Sequence, residues 1–173
     1  MITVTHEDAN LHHDWVTGRS VTGILHFINQ TPFEWFAKKQ ATVETATYGS
    51  EFVSAKQAIE QIIGIRTTLR HLGVPIQGQS RLFRDNKSVV TSATTPHSPL
   101  KKRHHALSCH FTREAVASEV VDFQFIPSEL NAADILSKHW GYSQIWPTLQ
   151  SILFWMGDTA KLLLPEKARK LGN

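Results

Sequence analysis

The chain has 173 residues, 41% of them hydrophobic, which is enough for one domain with a buried core. Its formal net charge of +3 permits a phosphate-rich partner without demanding one. Cys109, the lone cysteine, excludes an intrachain disulfide and fits an intracellular protein. The longest apolar run, residues 152–156, is far too short to span a bilayer, and the first residues lack the basic and apolar regions of a signal peptide.

Ile2, Val4, His6 and Asp8 alternate with Thr3, Thr5 and Glu7, a period of two that predicts a strand. Asp8 lies on the Ile2/Val4 face and Glu7 points the other way. Residues 9–19 read as a loop. Residues 20–28 are β-branched and aromatic, a second strand. After the turn at residues 29–32, residues 33–37 make a third strand, antiparallel by its short connection. A long helix is predicted from Thr47 to His71, because Tyr48, Phe52, Ala55, Ile59, Ile62, Ile63 and Leu69 recur at three- and four-residue steps. Gly73 and Pro75 stop it.

Leu82 and Phe83 read as a short buried strand that ends at Asp85, and Asn86-Lys87-Ser88 open a helix running to about Ala93. An Asp at such a junction is commonly a helix cap. It is also at the carboxyl end of a strand, where open α/β sheets bind ligands. Residues 94–99, with two prolines, form a linker, and residues 100–105 are the most basic run. A helix to about Ser118, a strand over 120–126 and a short helix over 131–138 follow. From Tyr142, Trp146, Leu149, Ile152, Leu153 and Trp155 fall at helical spacing. The expected organisation is one α/β domain over residues 1–140 and a helical extension over 141–173 that packs on it or trails from it.

Three strands in a meander, followed by alternation, give a mixed sheet. With the first and fourth strands adjacent and parallel, Asp8 and Asp85 become neighbours, and Glu51 and Asp134 lean in from flanking helices. Carboxylates a few ångströms apart cannot all stay ionised without cations. Magnesium suits carboxylate, water and phosphate oxygens, and two such ions can activate a water and stabilise the leaving oxygen of a phosphodiester.

Several motifs then fall in a telling order: Asp8-Ala9-Asn10, Ser20-Val21-Thr22-Gly23, Ala37-Lys38-Lys39-Gln40, residues 47–52, Asp85-Asn86-Lys87-Ser88, His104 with His110-Phe111-Thr112-Arg113-Glu114, and Asn131-Ala132-Ala133-Asp134-Ile135-Leu136-Ser137-Lys138. Together they resemble the ribonuclease H domain of copia-type LTR retrotransposon polyproteins. The resemblance implies a ribonuclease H-like α/β fold with a mixed five-stranded sheet flanked by helices. It implies Mg2+-dependent cleavage of RNA in RNA–DNA hybrids during reverse transcription, with two ions and Mn2+ as a substitute. Catalytic and metal-binding roles fall on Asp8, Glu51, Asp85 and Asp134. Glu51 competes with Glu44, and Asp8 with Glu7 and Asp14. The implied partners are the hybrid and the reverse transcriptase of the same polyprotein, and the implied place is the cytoplasm, within virus-like particles of an active element.

The loop 127–131 lacks the His that many ribonucleases H carry before the last acid; Glu129 is the candidate turnover aid in its place. Candidate nucleic-acid contacts are Asn86, Lys87, Ser88, Lys38, Lys39, Lys138, Arg103 and His104. A zinc reading of His105 and Cys109 lacks any Cys-pair motif. The rival function is a catalytically silent connection or nucleic-acid-binding module. A third keeps the fold but changes the reaction, to DNA-strand transfer or exonuclease work.

Overall fold

The computed structural model describes residues 1–44, 46–95 and 106–153, with the side chain of Ser151 excepted. Much of the expected linker, the basic run 100–105, Arg103, His104, His105 and Trp155 lie outside the described residues. The chain divides into two compact units, Met1–Lys138 and His139–Asn173.

The first unit opens with β1 (Thr3–Asn10), β2 (Val21–Ile28) and β3 (Thr31–Lys39). The long helix α1 (Thr47–His71) follows, then β4 (Ser80–Arg84), α2 (Lys87–Thr94), α3 (Ala106–Ala117), β5 (Val121–Phe125), a 3-10 turn (Ser128–Leu130) and α4 (Asp134–Ser137). The sheet order is β3-β2-β1-β4-β5. The first three strands are antiparallel, whereas β1–β4 and β4–β5 are parallel. This is the mixed sheet expected from the order of elements, and it sets the carboxyl ends of β1 and β4 side by side. In the second unit, α5 spans Tyr142–Leu153 and takes Pro147 within it. Among the described residues no helix is long and apolar enough to cross a membrane.

Burial of apolar side chains closes the main layer. Phe52, Ala55, Ile59 and Ile62 from α1 meet Ile24, Leu82 and Val121 from the sheet, with Val89 and Cys109 from α2 and α3. Each large side chain here contributes about 1.5–3 kcal/mol by leaving water. Cys109 thus serves as a small core residue, and burial pushes its thiol up from the ordinary value.

On β1 the deeply buried face is the polar one. Thr3, Thr5 and Glu7 are buried, while Ile2 is exposed. Buried polar groups need partners, and these have them. Thr3 Oγ1 meets Ser80 Oγ at 2.5 Å, and Thr5 Oγ1 meets His26 Nδ1 at 2.9 Å. His26 Nε2 reaches Gln61 Oε1 at 2.9 Å. That oxygen only accepts, so Nε2 donates, and Nδ1 of the neutral ring accepts from Thr5.

Gly23 pairs with Asp8 across the β1–β2 ladder. A Cβ on Gly23 would lie 2.8 Å from the Ala133 carbonyl oxygen and 3.0 Å from Leu136 Cβ. The missing side chain is therefore what lets α4 lie against the sheet directly beside Asp8.

Candidate metal centre

Asp8, Asp85 and Asp134 come together from three separate elements. One carboxylate oxygen from each lies within 4.8 Å of the others. Asp8 is near the end of β1, Asp85 follows the last residue of β4, and Asp134 begins α4. Parallel pairing of β1 with β4 accounts for the first two, and the close approach at Gly23 brings in the third.

Each acid is oriented by its neighbours. The Ser137 hydroxyl donates to Asp8. The Ser128 hydroxyl donates to Asp85 Oδ2 at 2.7 Å, which ties the 3-10 turn to the site. Asn131 Nδ2 donates to the Glu7 carbonyl at 3.0 Å, and its Oδ1 accepts from the Ala133 amide, so the turn entering α4 is fixed to β1. The cap of α2 is Asn86, not Asp85: its side chain accepts from the Ser88 and Val89 amides at 3.1 and 3.4 Å. Asp85 is thereby left to the site.

The cluster holds a cation of the protein's own. Lys138 Nζ lies 2.5 Å from Asp134 Oδ1 and 3.8 Å from Asp8 Oδ2. Burial pushes the Asp134 carboxyl up to about 6; Lys138 opposes this, and the charges of Asp8 and Asp85 add to it. Burial pulls the Lys138 ammonium down, but the hydrogen bond to Asp134 and the charges of Asp8, Asp134 and Asp85 outweigh it and hold it up. Hard oxygen donors alone, with an ammonium already drawn to them, fit a magnesium- or manganese-type ion.

Glu51 is buried near the start of α1 but does not join the three aspartates. Its carboxylate pairs with the Arg84 guanidinium. Arg84 is fully buried at the end of β4 and also meets Glu7, Nη2 to Oε2 at 3.3 Å. It donates from Nη1 to the Glu51 carbonyl at 3.3 Å and stacks over Phe123 at 5.6 Å. Burial pushes the Glu7 carboxyl up to about 7; Arg84 and a hydrogen bond from Ser54 oppose it, and Asp8 and Asp85 add to it. Neither Arg84 nor Glu7 stands out as a pair in the sequence. The only signal is Arg84 sharing strand parity with the apolar Leu82; Glu7 shares the Thr3/Thr5 face of β1, which reads as solvent-facing in the sequence.

The competing acids lie elsewhere. Asp14 accepts from Lys39 Nζ at 2.8 Å and from the Thr17 hydroxyl at 2.7 Å, and these bonds hold its carboxyl well below the usual range. Glu44 is buried in the segment before α1, where it accepts from Thr42 at 3.2 Å. Glu129 is exposed on the 3-10 turn next to Ser128. Among the candidate nucleic-acid contacts, Lys87 sits 4.6 Å over the Phe125 ring, Ser88 donates to Asn86, and Lys38 and Lys39 end the edge strand β3.

No family model matches the chain. It is 25% identical over 131 residues to the retrovirus-related Pol polyprotein from transposon TNT 1-94 of Nicotiana tabacum, and 24% identical over 119 residues to that from transposon RE2 of Arabidopsis thaliana. These alignments cover 76% and 69% of the chain but 10% and 8% of the relatives, so the chain spans about a tenth of their length.

Among solved structures it resembles RNase H1 from Halobacterium salinarum, with a TM-score of 0.61, 12% identity, and coverage of 79% of this chain and 95% of that one. LC11-RNase H1 in complex with an RNA/DNA hybrid gives a TM-score of 0.61 at 14% identity, covering 78% and 93%. Prototype foamy virus protease-reverse transcriptase gives 0.55 at 15% identity, covering 79% of this chain and 20% of that one. The fold is ribonuclease H-like, and over most of its length the chain is homologous to retrotransposon Pol polyproteins.

Proposed function

We propose that this chain, a ribonuclease H-like fold with retrotransposon Pol homologues, hydrolyses the RNA strand of RNA–DNA hybrids with Mg2+ during reverse transcription. The observation that carries the reading is the convergence of Asp8, Asp85 and Asp134 at the carboxyl ends of adjacent parallel strands. Fold and homology support the ribonuclease H class. The catalytic set is Asp8, Glu51, Asp85 and Asp134, with Glu51 drawn from the start of α1.

Two magnesium ions supply Lewis-acid chemistry at the phosphodiester when bound. The residues prepare their place. Ser128 and Ser137 orient Asp85 and Asp8, the Asn131 bonds fix the turn that presents Asp134, and Lys138 offsets one of the three negative charges before a metal arrives. Asn86, Lys87 and Ser88 at the start of α2, together with Lys38, Lys39, Lys138, Arg103 and His104, are the proposed hybrid contacts. Phosphate contacts set register, and the shallow minor groove with its 2′-hydroxyls marks the RNA strand. A net charge of +3 is small for a polyanion, so the reverse transcriptase of the same polyprotein is the proposed source of further affinity. Exposed Glu129, beside the Ser128 that touches Asp85, remains the proposed turnover aid.

The test is a labelled hybrid with Mg2+ at low salt, because binding through phosphates falls steeply with salt. Cleavage of the RNA strand alone, lost in Asp85→Asn, is the expected result. A folded chain that leaves the hybrid intact even when fused to its polymerase would overturn it. One observation favours a second reading, a silent nucleic-acid-binding module: Glu51 is engaged by Arg84.

A further inference from the structure

The turn between β1 and β2 holds an indole in water, and holds it firmly. Trp15 is 97% exposed, and Val16 beside it is 94% exposed. Two adjacent apolar side chains left in solvent forgo the stabilisation that burial would give them. The turn that presents them is tightly bonded. Asp14 Oδ1 accepts from the Val16 amide at 3.1 Å, and Oδ2 accepts from the Thr17 hydroxyl at 2.7 Å and from Lys39 Nζ at 2.8 Å. The Asp14 carbonyl accepts from the Gly18 amide at 2.7 Å. Gly18 closes the turn with a φ of 67°, a conformation that favours glycine. Below the tip, Asn10 Nδ2 donates to the Ser137 carbonyl at 3.2 Å, and His12 Nε2 donates to the Glu44 carbonyl at 2.9 Å. The tip is thus tied to β3, to α4 and to the segment before α1.

Its place and its surroundings suit a nucleic acid. The turn follows the carboxyl end of β1, the end that carries Asp8. Lys39, which holds Asp14, ends β3, two strands across the sheet from β1. At about 4.8 Å per strand this is a lateral offset of about 10 Å, on the order of three base-pair steps at 3.4 Å each. Arg19 at the base of the turn, with Lys38 and Lys39 at the end of β3, are exposed cations. An apolar tip flanked by cations matches a groove with phosphates on its rims and base edges on its floor. The minor groove of B-DNA, about 6 Å wide, is narrow for an indole. The A-like minor groove is wide and shallow, and admits one. A protein seat for the same tip would have to desolvate the cations as well.

We propose that Trp15 and Val16 form an apolar wedge that enters the minor groove of an RNA–DNA hybrid about three base-pair steps from the scissile phosphate and partly unstacks the step it meets. This rests on the ribonuclease H reading for the identity of the duplex, and it adds a determinant of where along that duplex the chain cuts. Pyrimidine–purine steps unstack most easily. Cleavage is therefore strongest at a fixed offset from such steps, although no side chain reads a base there by hydrogen bonding.

The probe is a short hybrid with 2-aminopurine, which brightens as it loses its stacking, in place of adenine at the single pyrimidine–purine step of the DNA strand. It is titrated with the metal-free chain at low salt. Wild type brightens the probe as it binds. Trp15→Ala abolishes the brightening and weakens binding about tenfold, the size of one lost aromatic contact to a base. Its melting temperature stays that of wild type, because the side chain it loses stands in water. Wild type that fails to bind, wild type that saturates the hybrid without brightening the probe, or brightening that survives in Trp15→Ala would each overturn the proposal. So would Trp15→Ala that binds as tightly as wild type, which would assign the tip to a protein partner. Cleavage of a mixed-sequence hybrid with Mg2+ is scored separately. Cuts that ignore pyrimidine–purine steps, with no brightening, remove only this inference. Brightening without cleavage removes the nuclease reading and leaves the wedge standing.

Discussion

Two groups of acids lie on opposite faces of β1, and they hold different cations. On the α1 face, Glu7 and Glu51 share Arg84, with all three side chains out of water. On the α4 face, Asp8 and Asp134 share Lys138, whose side chain keeps about a third of its surface exposed (34%). A planar guanidinium with several fixed partners suits a permanent, dry pairing. A flexible ammonium on an open edge suits a place that a metal can take over. Neighbouring residues of one strand thus serve one buried and one part-exposed cation site, and residue type and burial both separate them.

The largest expected effect breaks the buried group. Arg84→Met leaves two carboxylates in the core without a cation, and removing one partner of such a set costs about 3–5 kcal/mol. Denaturant unfolding of the metal-free chain should show it as a lowered midpoint. A loss below about 1 kcal/mol would mean that the buried triad is no more structural than the exposed pair. Next in size is Gly23→Val, which acts on the other face. Its side chain would collide with the Ala133 carbonyl and Leu136, so α4 must move off the sheet. The cost is about 1–3 kcal/mol of overpacking, and Mn2+ affinity should fall at least tenfold because Asp134 leaves with α4. Gly64→Ala is the control. Nothing lies within 4 Å of its added Cβ, so it should stabilise α1 by about 0.4–1 kcal/mol without touching the metal.

These two faces differ in how far they could be read from the sequence. Asp8, Asp85 and Asp134 were legible because each sits at the end or start of an element, and element order with strand parity already makes Asp8 and Asp85 neighbours. Helix α1 was legible to its bounds, Thr47 to His71, because its apolar spacing is long and its stop signals are strong. The Glu7–Arg84–Glu51 group was not. Its members lie 77 and 33 positions apart, and nothing local says that a charged strand residue will find its partner across a parallel pairing. The polar face of β1 misleads for the same reason. Thr3 and Thr5 look solvent-facing until Ser80 and His26 are brought against them. The close approach at Gly23 is likewise visible only once α4 is placed.

His26 offers a smaller, pH-dependent effect on the structural face. Burial lowers its pKa below 6.5, against a hydrogen bond to Gln61 and the charge of Glu34 that raise it. The folded state therefore favours the neutral ring. Its contribution to stability is fully present above 6.5 and is lost as pH falls from there through the lowered folded value, at up to about 1.4 kcal/mol per pH unit. Buried Glu7 and Asp134, whose values are raised, push stability the other way over the same range. The quantity to measure is accordingly the difference between wild type and His26→Gln across pH 7.5 to 5. Wild type should lose stability faster than the variant on acidification. Parallel curves would mean that His26 takes its proton as easily folded as unfolded.

The smallest effect on stability belongs to Lys138, and it tests the exchangeable site most directly. Its pairing with Asp134 is partly exposed, so Lys138→Met should cost the metal-free chain less than about 1 kcal/mol. The same change removes a positive charge that an incoming cation must otherwise displace or repel. Mn2+ should then bind on the order of tenfold more tightly, since charges this close interact by more than 1 kcal/mol even in a polar surround. Asp134 would also lose the group that opposes the rise in its pKa, so its carboxyl would take a proton at a higher pH than in the wild type, where it sits at about 6, and the tightening should be greatest well above that pH and shrink as pH falls towards it. If Lys138→Met weakened Mn2+ binding, the ammonium would be holding Asp134 in place for the metal and not keeping its seat. If it left Mn2+ untouched but weakened hybrid binding, Lys138 would belong to the nucleic-acid surface, and the cation it resembles would have to bind elsewhere on the three aspartates.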